Sequence, residues 1–133
     1  MTNLALQKDF SPSFCRQILK TGIKKQDFSF VVHSIAKIPE KDFAKVAGTS
    51  VRTLSRLKNV QLIPEHAAEV VLSVLRVFRK ACEVFGDEEK AVLWLKRSNS
   101  VLGETPPLFL LNTRFGAEEV MDILTRIEYG VYS

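Results

Sequence analysis

Between Pro64 and Gly86 the chain carries one unbroken helical pattern, and nothing else in it constrains the fold so strongly. Ala67, Val71, Val74, Phe78, Ala81 and Phe85 step by four and three, the spacing of one helix face. Val70, Val77 and Val84 make a second row, and Leu72, Leu75 and Cys82 fill further apolar positions. The polar residues Glu65, Glu69, Ser73, Arg76, Lys80 and Glu83 fall on one narrow stripe. A helix so apolar has to be covered on most sides. It is either a central core helix or a core helix that also feeds an interface with a second copy. In the second case Val71, Val74 and Phe78 are the candidate interface residues.

The rest of the sequence punctuates into helices as well. Ser11 caps and Pro12 opens a helix to about Thr21, with Gly22 as its stop. Phe28, Val31, Val32 and Ile35 share a face of a helix over about Asp27–Ala36; Phe30–His33 alone also reads as a strand, but the spacing favours helix. Pro39 precedes a helix Glu40–Ala47, a turn Gly48–Ser50 and a helix Val51–Lys58 closed by Asn59. Beyond the long helix Glu65–Phe85, Asp87 caps a helix over about Glu88–Arg97. A loop through Gly103 follows, and Pro106 opens a short helix to about Asn112. Gly116 marks a break before a last helix Ala117–Tyr129. The expected fold is all-α. A helix-turn-helix bundle over residues 1–63 is joined by the long apolar helix to a C-terminal helical region, which together span residues 64–133.

Charge is unevenly placed on this frame. Residues 1–58 hold eleven Lys/Arg against four Asp/Glu, while residues 59–133 hold eight against eleven, so +7 faces −3 within a net charge of +4. A basic front half suits a polyanion and leaves the back half another task, although a solvated Lys-rich surface accounts for the same numbers. No apolar run reaches the roughly 18–20 residues of a membrane helix. The N-terminal residues lack the charged-then-apolar layout of a signal peptide, and two distant cysteines fit a reduced compartment. The expected location is the cytoplasm.

Residues 39–59 fit a helix-turn-helix. Ala44 is small enough for a second helix to cross closely, and Gly48 supplies backbone freedom for the tight turn. Val51, Leu54 and Leu57 would seat the second helix, leaving Arg52, Thr53, Ser55 and Arg56 outward with Lys58 at its end. Arginine can bridge the two acceptors of guanine, and short hydroxyls reach bases or phosphates. Lys41 and Lys45 on the first helix, with Thr49 in the turn, are placed to meet phosphates. A surface hairpin with solvated arginines is the competing account.

Enzyme chemistry finds no purchase. His33 sits on an apolar helix face as a partly buried or capping histidine, and His66 lies in a solvated first turn. Cys82 reads as a small core residue. Glu118, Glu119 and the run Asp87–Glu89 occupy first helical turns, where the helix dipole favours acids. No metal-binding, phosphate-cradling or nucleophile motif is present, and no catalytic residue, metal, cofactor or small-molecule substrate is expected.

The last third has its own signature: Trp94-Leu95, Asn99, Leu102-Gly103, Pro107-Leu108, Leu111, Thr113, Gly116, Val120, Leu124 and Ile127-Glu128-Tyr129-Gly130-Val131. This block resembles the Xre/MbcA/ParS-type antitoxins of RES–Xre toxin–antitoxin pairs. One departure stands out, Glu104-Thr105-Pro106-Pro107 where a glycine-richer turn is expected. The resemblance implies a protein with two jobs. It would block the NAD⁺ pocket of a RES-domain toxin, and it would dimerise and repress its own operon on operator DNA. Val120, Ile123, Leu124 and Ile127 form the inward stripe of the last helix, which leaves Glu118, Asp122, Arg126 and the terminal Tyr129 to Ser133 for a partner; of these, Arg126, Tyr129, Val131, Tyr132 and Ser133 are the expected toxin contacts. Arg114 is either a further toxin contact or a carbonyl cap. Trp94 is expected in the core, since Ala91, Leu93 and Leu95 surround it. Two alternatives stay open: a regulator with no toxin partner, and an adaptor that binds no DNA.

Overall fold

The computed structural model describes residues 10–130, and every regular element among them is helical. Seven α-helices follow one another: α1 Pro12–Thr21, α2 Lys25–Phe30, α3 Glu40–Ala47, α4 Val51–Ser55, α5 Glu65–Phe85, α6 Glu88–Lys96 and α7 Arg114–Glu128. The chain divides into two compact units whose boundary falls inside α5, between Leu72 and Ser73. Among the described residues no helix is long and apolar enough to cross a membrane.

In the first unit Ser11 caps α1, its hydroxyl accepting from the Phe14 amide at 3.2 Å. The segment expected as one helix over Asp27–Ala36 starts at Lys25 and changes character at Val31. There the wider π-helical turn Val31–Ile35 takes over, and the Ala36 amide donates to the Val31 carbonyl at 2.9 Å. Phe28, Val31 and Val32 are buried; the side chain of Ile35 lies outside the described ones. Phe28 meets Phe43 of α3 with ring centroids 4.9 Å apart, and burying each ring stabilises by about 2 kcal/mol. His33 is exposed rather than partly buried: its imidazole reaches out to Glu40, 3.4 Å away.

The second unit is built around short turns. Asp87 caps α6 by accepting from the Glu89 amide at 3.2 Å. Asn99 then caps a 3₁₀ turn, Ser100–Leu102, and a second 3₁₀ turn, Pro107–Leu110, packs against both α6 and α7. Where a glycine-richer turn was expected, Gly103 and Glu104 both take left-handed backbone, each at φ 66°. Glu104 therefore occupies a conformation that costs a non-glycine residue about 1 kcal/mol.

Two further expectations need correction. Gly116 does not break the last helix. Thr113 caps it, accepting from the Gly116 amide at 3.1 Å, and α7 runs from Arg114. The glycine is required there by space, because a Cβ would stand 1.8 Å from the Leu110 carbonyl oxygen. As a result Glu118 and Glu119 lie beyond the first turn, which holds no acid. Trp94 is only half-buried, its ring 5.7 Å from that of Phe85, while Leu93 is exposed.

Candidate nucleic-acid and partner surfaces

The helices α3 and α4 meet through the turn Gly48–Ser50. Gly48 is left-handed at φ 70°, and the Thr49 amide donates back to the Ala44 carbonyl at 3.0 Å. That pairing satisfies a carbonyl at the end of α3 and reverses the chain within two residues. Ser50 then caps α4: its hydroxyl accepts from the Thr53 amide at 3.0 Å and lies 2.9 Å from the Thr53 hydroxyl.

Helix α4 is shorter than its sequence pattern, ending at Ser55 instead of Lys58. One partner at its end is distant in sequence: the Lys25 ammonium of α2 donates to the Leu54 carbonyl, and just beyond the helix the nearby Gln61 side chain accepts from the Lys58 amide at 2.7 Å. The following segment pairs with the start of α2, through Lys25 to Gln61 at 2.8 Å and Ile63 to Ile23 at 2.9 Å. Of the three residues expected to seat α4, Leu54 is fully buried and Leu57 half-buried, but Val51 stays 42% exposed. The turn tips Val51 outward and leaves Leu54 as the anchor.

Lys41 and Lys45 on α3 and Arg52 and Thr53 on α4 are exposed. Arg56 is exposed at the end of α4, Lys58 lies exposed beyond it, and Thr49 is half-buried in the turn. One turn of helix therefore presents Arg52, Thr53 and Arg56 together, while Lys58 belongs to the loop. Lys25, one of the cations behind the charge asymmetry, is committed to capping α4.

The second surface is the outer side of α7. Val120, Ile123 and Leu124 are buried and Ile127 half-buried, so the inward stripe stands as expected. Arg114, Arg126 and Tyr129 are exposed, Tyr129 at 72%. They do not form one cluster. Arg114 is the first residue of α7 and Tyr129 caps its end, a separation of about 22 Å at 1.5 Å per residue. Arg126 and Tyr129 are neighbours one turn apart. Arg114 is not a carbonyl cap after a preceding helix; it opens α7. Val131, Tyr132 and Ser133 lie outside the described residues.

The end of α7 is tied to α5. The Lys80 ammonium donates to Glu128 Oε1 at 2.6 Å, and that hydrogen bond holds the Lys80 pKa above its ordinary 10.5 despite partial burial. Sequence reading missed one residue on this face. Phe115, second in α7, is 83% exposed, the most exposed large apolar side chain among the described residues. With the helix start set at Ala117 it had no phase; the cap at Thr113 would have supplied one.

The proposed dimer residues lie elsewhere. Val71, Val74 and Phe78 are 0%, 1% and 4% exposed within one chain, so they have almost no surface to offer a second copy. Burial pushes the Cys82 thiol up, away from a reactive thiolate. Among the described residues no group of His, Cys, Asp and Glu comes together that could hold a metal ion.

Comparison with known proteins bears on the second surface first. Residues 80–130 match the family model of the antitoxin Xre/MbcA/ParS C-terminal toxin-binding domain. The chain is 34% identical over 105 residues to an antitoxin Xre of Yersinia enterocolitica, covering 77% of this chain and 70% of the relative. It is 33% identical over 94 residues to an antitoxin Xre of Photorhabdus laumondii, covering 69% of this chain and 64% of that relative.

Proposed function

This chain belongs to the Xre/MbcA/ParS antitoxin family, and we propose that it neutralises a RES-domain toxin by covering the toxin's NAD⁺ pocket and represses its own operon through α3 and α4. As an antitoxin of a toxin–antitoxin system it is a regulatory protein, not an enzyme. The observation that carries the toxin half is the match of residues 80–130 to a toxin-binding domain, which contains the whole of α7. On that helix Arg126 and Tyr129 are exposed side by side at the end that leads into residues 131–133. Arginine and tyrosine are the types that anchor protein interfaces. A chain segment leaving a helix end enters a substrate pocket more readily than a helix flank does.

The DNA half rests on the short turn of α4. Arg52, Thr53 and Arg56 project from a helix whose other side is held by Leu54, and Lys41 and Lys45 are exposed on the helix before it. This is the division expected of base-reading and phosphate-contacting side chains. We place the protein in the cytoplasm, as a homodimer whose interface uses surface other than Val71, Val74 and Phe78.

Co-expression with the product of the neighbouring RES-type reading frame tests the toxin half. Growth rescue and co-purification are expected; a chain that neither rescues nor co-purifies contradicts it. Binding to the promoter fragment at increasing salt tests the other half, since phosphate contacts make affinity fall with salt. Salt-independent binding, or none with or without toxin, removes the repressor role.

A further inference from the structure

We propose that Phe115, with the carboxylates of Glu118, Glu119 and Asp122, forms a second toxin contact, seating Phe115 in an apolar recess of the toxin that is rimmed by basic side chains. This rests on the antitoxin reading above and adds an anchor at the opposite end of α7 from Tyr129.

Phe115, Glu118, Asp122, Arg126 and Tyr129 follow one another by three, four, four and three residues, which puts them on one outer face of α7. The side chains of Phe115, Glu118 and Asp122 on this face are exposed and make no hydrogen bond or ion pair among the described residues. Phe115 is 83% exposed, where an aromatic ring contributes almost nothing to folding. The two glutamates sit past the first turn, outside the reach of the helix dipole, while Arg114 opens the helix where the dipole disfavours a cation. Among the described residues, none of the three carboxylates has an ion-pair partner. The backbone that carries Phe115 is closely packed: a Cβ on its neighbour Gly116 would stand 1.8 Å from the Leu110 carbonyl oxygen, so the start of α7 lies directly against the preceding turn. A side chain presented from a packed backbone leaves less of the chain to order on binding.

The occupant is argued from the same helix. Phe115 lies inside the stretch that matches a toxin-binding domain. A second copy fits poorly. A two-fold pairing of α7 about its middle would press Asp122 against its own copy. Three unpaired carboxylates call instead for a partner carrying Lys or Arg. Phe115 and Tyr129 then stand as two anchors about 21 Å apart on one helix.

The experiment is titration calorimetry of the full chain against the purified product of the adjacent RES-type reading frame, at low and high salt, with thermal melts alongside. F115A should weaken binding at least about tenfold, as removal of an aromatic anchor does, with an unchanged melt. The double variant E118K/E119K should weaken binding at low salt and flatten its salt dependence. Wild-type affinity in F115A overturns the proposal and leaves the antitoxin reading standing. So does F115A that binds toxin normally but turns a dimer into a monomer, because Phe115 then meets a second copy. Failure of the wild-type chain to bind the toxin at all strikes the antitoxin reading first and this contact with it.

Discussion

Helices α4 and α7 present their side chains to partners in opposite ways. The five residues of α4 are closed off by side chains at both ends: its own N-cap Ser50 at the start, and Lys25 reaching in from α2 at the end. Its exposed side carries arginines and a hydroxyl over a single apolar anchor, Leu54. The fifteen residues of α7 are held by backbone proximity at Gly116 and by a broad apolar stripe, and its exposed side carries aromatic rings and carboxylates. A small basic face on a side-chain-trimmed helix suits a polyanion, which is met mostly through charge and a few directed contacts. A long helical face with aromatic ends suits a protein, where buried aromatic anchors supply much of the affinity.

The largest blow to this contrast should come from Gly116→Ala. Alanine normally favours a helix, but here the new Cβ meets the Leu110 carbonyl, so a loss of about 3 kcal/mol in unfolding free energy is expected. A neutral or stabilising result in a denaturant melt would show that α7 is not locked at its start. Next come Arg52→Ala and Arg56→Ala, each of which should weaken operator binding by about 1–3 kcal/mol while the melt stays put. If both leave operator affinity unchanged, α4 is not a reading surface. Ser50→Ala removes the α4 cap and should cost about 1 kcal/mol of stability, together with part of the operator affinity.

Lys80→Met tests the tie at the other end of α7. Its partner Glu128 raises the Lys80 pKa, so the folded chain holds that proton more tightly than the unfolded one. The stabilisation is fully present below pH 10.5 and fades as pH climbs through the folded-state value. The variant should therefore lose up to about 1 kcal/mol at pH 7, and the gap from wild type should narrow in strongly alkaline melts. Smallest of all, Glu104→Gly should gain a few tenths of a kcal/mol, as relief of left-handed strain slightly outweighs the entropy of glycine in the unfolded chain. A loss there would mean that the Glu104 side chain does something for the turn.

The contrast also explains what the sequence made legible. The all-helical class, the long helix Glu65–Phe85, and the caps at Ser11 and Asp87 follow from local periodicity and capping chemistry, and the structure has them. The end of α4 was not readable, because Lys25 is brought to the Leu54 carbonyl only by the fold. The start of α7 was misread for the reverse reason. A glycine looks like a break in sequence, but at position 116 it is there for want of space. That single misreading hid Phe115 and assigned Glu118 and Glu119 to a dipole they do not meet. The exposed arginines of α4 and the pair Arg126 and Tyr129 were legible because they fall outside the apolar stripe of their helices. The burial of Val71, Val74 and Phe78 was not, since periodicity shows that a face is covered without showing by what.

The central claim is that the C-terminal end of α7 and the residues beyond it silence an NAD⁺-consuming toxin. The direct measurement is the rate of NAD⁺ loss in a mixture of the neighbouring RES-type protein with either the full chain or a variant truncated after Glu128. The full chain should stop NAD⁺ loss at stoichiometric amounts, and the truncated variant should leave most of it running. Undiminished neutralisation by the truncated variant would contradict the account.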